Sequence, residues 1–102
     1  MSTYNINLET ESVLRVGFGD PGQNDRIVKD VANRLDEMIK SGELSGGEIL
    51  RINGPASLPV AMVLAHGLSH LYQALACYDP KLTKYVVAIA HGDKYKIGEL
   101  ID

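Results

Sequence analysis

The sequence predicts an α/β fold: a single compact domain over residues 1–102, with a mixed sheet of about five strands and two helices. Three patterns carry that prediction. Apolar and polar side chains alternate over residues 4–8 and 13–18, the period of two that a strand imposes. Ile27, Val31, Leu35, Met38 and Ile39 fall on one face of a helical repeat. Residues 74–78 and 85–90 are unbroken apolar runs of strand length, as in a sheet covered on both faces. A chain of 102 residues has room for one hydrophobic core but not two, so dimerisation is a natural route to further buried area.

In chain order, a turn near Thr10 joins the first two strands as a hairpin. Asp20-Pro21-Gly22 breaks the chain, and a first helix follows over about residues 24–41, with Gly42 as a plausible C-cap. The Ser45-Gly46-Gly47 loop leads to a third strand, residues 48–52. Ser57 is the expected N-cap of a second helix running to about Tyr72, with Pro59 tolerated in its first turn. Val60, Ala61, Met62, Val63, Leu64 and Ala65 leave that helix almost no polar side. It is therefore expected to be buried on more than one face, by its own sheet and by a partner subunit. The loop over residues 79–83 is short, which makes the two apolar strands around it antiparallel neighbours. Residues 92–102 carry no assignable pattern.

Composition narrows the partners. A net charge of −3 argues against binding to duplex DNA or other long nucleic acid, which depends on neutralising many phosphates. Residues 1–51 hold six basic and nine acidic side chains and residues 52–102 hold four of each, so the acidic excess lies in the first half. Within residues 80–96, Lys81, Lys84, Lys94 and Lys96 stand against Asp93, a balance that suits a small anion, although solvated surface lysines explain it as readily. No apolar run approaches the roughly 20 residues of a membrane span, and the first ten residues lack the regions of a signal peptide. Cys77 stands alone, so no intramolecular disulfide forms, and packing is its expected role. A cytoplasmic setting fits.

Polar groups gather on one strand, helix, strand unit. Asn53, Gly54 and Ser57 open the second helix, where backbone N–H groups and the helix dipole favour an anion; from these residues alone an ordinary capped helix is the plainer reading. His66, Ser69, His70 and Gln73 form a stripe at i, i+3, i+4 and i+7. Gly67 beside them costs about 1 kcal/mol against Ala, as though something must pack close there. The His-x-x-x-His spacing is a weak metal signal, and for His66 a satisfied core histidine is the plainer reading. Because the crossover makes the flanking strands parallel, Asn53, Ser57, Asp79 and Lys81 share one end of the sheet while His70 and His91 share the other. A helix of about 15 residues is roughly 22 Å long, so His70 and Asp79 reach one phosphodiester only from different chains.

The order strand, Asn53-Gly54-Pro55, apolar helix with His66 and His70, Tyr78-Asp79-Pro80-Lys81-Leu82, then a Val-rich strand ending in His91 resembles a known family. It is similar to the small CRISPR-associated ring nucleases of type III systems, first described as Mn-dependent exoribonucleases that remove adenosines from RNA ends. The resemblance covers roughly residues 48–99. It implies a Rossmann-like protomer, distantly similar to cyclic-oligoadenylate sensor domains, forming homodimers, two of which sandwich a cyclic tetra-adenylate ring. Carried over by position, the catalytic residues are His70, Asp79 and Lys81, with Asn53, Gly54, Ser57 and His66 binding ligand. Lys81 stands where the family has Arg and offers a point charge in place of a two-pronged grip.

What the resemblance implies chemically is a phosphodiesterase. His70 moves a proton, Asp79 holds Mn²⁺ or orients the nucleophile, and Lys81 with the helix N-terminus offsets phosphate charge. Two other functions use the same residues: a module that binds the ring without cutting it, and a deadenylating exoribonuclease acting on linear RNA.

Overall fold

The computed structural model describes residues 2–102. Its elements are β1 (Tyr4–Thr10), β2 (Val13–Phe18), α1 (Asn24–Lys40), β3 (Gly47–Asn53), α2 (Leu58–Leu68), β4 (Tyr72–Asp79), β5 (Lys84–Ala90) and β6 (Leu100–Ile101). All six strands form one sheet in sequence order. β2, β3 and β4 run parallel through the two helical crossovers, while β1 and β2, β4 and β5, and β5 and β6 pair antiparallel. Two right-handed crossovers that step in the same direction leave both helices on one face of the sheet, where α1 and α2 pack together. The α/β class with two helices is as expected.

The main core fills the space between that helix pair and the sheet. Ile27, Val31, Leu35 and Met38 of α1 meet Leu50 and Ile52 of β3 and Val60, Leu64 and Leu68 of α2. The helical spacing read from α1 is therefore its buried face, and only Ile39 of that set lies at the margin. Gly67 has the reason its position suggests: a Cβ there would come within 3.1 Å of Leu35 Cδ1, so the glycine leaves room for the Leu35 side chain of α1. On the other face a smaller cluster of Ala74, Ala76 and Val87 is covered by Tyr95 and Ile101 from the C-terminal segment.

Two elements differ from expectation. The sheet has six strands instead of about five, because the segment after His91 folds back and pairs Leu100 and Ile101 with Val86 and Tyr85. Two residues are too few to show a period, and backbone bonds between Val87 and both Gly98 and Glu99 hold the return. α2 also stops at Leu68, about one turn earlier than expected. Tyr72 is buried and joins β4 opposite Gly47, so the chain must leave the helix by residue 69 to reach the sheet. No helix among the described residues is long and apolar enough to cross a membrane.

The Asn53–Ser57 connection is packed down onto the N-terminal hairpin. Gly54 has φ 141°, and a Cβ built there would overlap the Val16 carbonyl oxygen. Its missing side chain thus serves the approach of β2. Gly54→Ala is expected to lower stability by about 2 kcal/mol or more, combining backbone strain with that overlap. Gly42→Ala, at φ 82° but facing open space, should lose only about 1 kcal/mol. Urea melts of the two variants check the ordering.

Candidate functional site

β4 sets the geometry of the polar groups. His70 lies in the turn that precedes it and Asp79 is its last residue. At about 3.3 Å per residue, the strand alone holds them roughly 23 Å apart. The parallel register of β3 with β4, Ile52 opposite Cys77, puts Asn53, Gly54 and the start of α2 at the Asp79 pole. The expected separation into two poles is what the fold contains.

At the first pole three histidines collect. The rings of His66 and His70 meet edge to face with centroids 5.0 Å apart, and His91 Nε2 lies 3.1 Å from the Ser69 carbonyl oxygen. His66 is exposed and not a core histidine. The four-residue stripe does not survive the early end of α2: Ser69 caps the helix and its hydroxyl donates to the His66 carbonyl, while Gln73 belongs to β4. His70 itself is exposed, on a turn and not on a helix face.

At the second pole, Asp79 Oδ1 accepts the backbone N–H groups of Lys81 (2.9 Å) and Leu82 (3.3 Å). This side-chain turn shapes the loop and directs Lys81 outward. Lys81 is exposed and has no acidic partner among the described residues. The other lysines do not join it in one patch: Lys84 pairs with Asp102, and Lys94 pairs with Glu48 at the N-terminal end of β3. Between the Asn53–Ser57 loop and the end of β4 lies a cavity of about 380 Å³ lined by Asn53, Gly54, Pro55, Tyr78 and Pro80.

The α2 N-terminus has less to offer an anion than its sequence suggested. Ser57 Oγ accepts from the Val60 N–H (3.4 Å) and donates to Asn24 Oδ1 (2.9 Å). Pro59 has no N–H, and Ala61 N–H is bound to the Ser57 carbonyl. That leaves Leu58 N–H as the free donor of the first turn. Ser57 works first as a cap and as a strut to α1.

The donors of one chain do not complete a Mn²⁺ site. Asp79 is a lone carboxylate, and among the described residues no three His, Cys, Asp or Glu side chains are placed to hold one metal ion. A second cleft, of about 260 Å³, opens between α2 and the sheet, lined by Ala61, Ala65, Cys77 and Ile89 among others, and reaches the Asp79 pole at Gly54 and Tyr78. Cys77 sits there, exposed at the residue level, instead of in the core; partial burial of its thiol pushes it up, which keeps it protonated. Leu58 and Met62 on α2 are 76% and 66% exposed, so α2 is buried on one face only within this chain.

Sequence reasoning missed Tyr4. Its ring is buried in the core, and its hydroxyl donates to the Pro55 carbonyl at 2.5 Å, tying β1 to the Asn53–Ser57 loop. The alternation of β1 marked Tyr4 as inward-facing but carried no sign of a partner 51 residues away.

These features define a small α/β domain with two opposed polar ends. Residues 25–102 match the family described as CRISPR-associated protein (Cas_csx3), and the chain belongs to that CRISPR-associated family. Neither the curated proteins nor the solved structures contain a match to it.

Burial pushes the Tyr4 phenol up to about 12 from its ordinary 10. A group that holds its proton more tightly when folded contributes stability that is complete below the unfolded value and lost above it. Stability is therefore expected to fall between about pH 10 and 12. Tyr4→Phe should flatten that fall, as read by denaturant melts at stepped alkaline pH.

Proposed function

We propose that this protein is a phosphodiesterase that opens cyclic tetra-adenylate to linear products and so switches off type III CRISPR signalling. The observation that supports it most is the separation of His70 from Asp79 by the length of β4, on a chain of a CRISPR-associated family. A ring bound between two dimers meets the His70 pole of one and the Asp79 pole of the other. The apolar side chains left open on α2, Leu58 and Met62, favour the dimers themselves.

In such an assembly each side chain has one task. His70, exposed on its turn, moves a proton between the attacking or leaving oxygen and solvent. Asp79 keeps Oδ1 on its own loop and turns Oδ2 to the ligand, orienting the nucleophile. Lys81, unpaired, offsets charge on the phosphate oxygens. Mn²⁺ is the cofactor we expect; Asp79 would be its protein ligand, with the remaining oxygens from the ligand and the second chain.

Labelled cyclic tetra-adenylate incubated with the protein and Mn²⁺ should yield linear product, and His70→Ala or Asp79→Ala should each slow this by about 100-fold or more. Mixing those two variants should restore cleavage well above either alone, since some sites then receive both intact groups. Absence of wild-type product above the His70→Ala background sinks the proposal, and absence of rescue on mixing sinks the shared site.

A second reading is favoured by Lys81, whose ammonium lacks the planar fork of Arg: the protein binds the ring and does not cut it. Tight binding by calorimetry with intact ring recovered afterwards selects that reading.

A further inference from the structure

We propose that the cavity beside Asp79 is a base pocket for a 6-aminopurine, stacked on Tyr78 and read by the Asn53 side-chain amide. The inference rests on the adenylate reading above and adds to it how the base is chosen.

The cavity of about 380 Å³ is walled by two proline rings, Pro55 and Pro80, and by Tyr78, with Asn53 as its polar side chain. Flat apolar walls around one amide suit a nucleobase better than a phosphate, whose oxygens such walls leave without partners. Tyr78 is half-buried and its ring stands edge-on to Tyr85, centroids 5.2 Å apart at 66°. That contact restrains the ring and leaves a face for stacking, so little freedom is lost when a base arrives.

The amide is oriented too. Asn53 Nδ2 donates to the Tyr85 hydroxyl at 3.4 Å, and Oδ1 has no partner among the described residues. An acceptor fixed in this way matches the exocyclic amino group of adenine and opposes the 6-oxo group of hypoxanthine or guanine. Tyr78 and Pro80 flank Asp79 in the chain, so a base held in this cavity lies at the same end of the sheet as Asp79 and Lys81.

Affinity for cyclic tetra-adenylate and for its all-inosine counterpart, measured on a His70→Ala background that prevents cleavage, tests the assignment. The adenylate ring should bind about tenfold tighter or more. Asn53→Ala should bring the ratio close to one, whereas Asn53→Asp, which keeps an acceptor, should retain it. Tyr78→Ala should weaken both rings alike by about tenfold, and Tyr78→Phe should bind as the parent does. A ratio that persists in a folded Asn53→Ala protein, or unchanged binding by Tyr78→Ala, overturns the base pocket while leaving ring binding in place. If the parent binds neither ring, the adenylate reading falls and the pocket assignment falls with it.

Discussion

The parallel pairing of β3 with β4 through α2 is the constraint from which the rest follows. Parallel neighbours need a connection that returns the chain to its starting end, and α2 makes that return along the sheet. Whatever closes β4 is then far from whatever opens it. The same constraint fixes the core. Val60, Leu64 and Leu68 have to face Leu50 and Ile52, so the polar residues at the two ends of α2 are left at the rims. His70 and Asp79 are apart because the hydrophobic face of one helix is matched to one pair of strands.

Much of this was legible in the residues. Alternation in β1 and β2, the repeat in α1, and the short loop before β5 are local signals that the fold follows, with Phe18 at the end of β2 left exposed and Ile39 at the core margin. The crossover rule, which needs only element order, placed Asn53 with Asp79 and His91 with His70. What escaped was decided by contacts distant in sequence. α2 ends early because Tyr72 has a place in the sheet, and helical spacing cannot report on a strand partner. β6 exists because Tyr95 and Ile101 find a small cluster to cover. The lysines of residues 80–96 read as one basic region until Glu48 and Asp102 are seen to take two of them.

For two of the candidate residues the fold supplies a structural role. Gly54 and Ser57 suggested a cradle for phosphate. In the fold, Gly54 makes room for the Val16 carbonyl and Ser57 caps α2 while bracing Asn24. Asn53 is the member of that trio with an unused polar atom. Small and hydroxylated residues before a helix are ambiguous for this reason: packing and capping call for the same residue types as anion binding.

The loop that closes the Asp79 pole takes several of its anchors from outside the family-matched stretch. Tyr4 grips Pro55, and Val16 lies under Gly54, yet the match begins at residue 25. The N-terminal hairpin is thus scaffolding for the Asp79 pole as well as an edge of the sheet. Trimming the chain to its matched core would strip β3 of a hydrogen-bonding neighbour and turn a braced rim into a slack one.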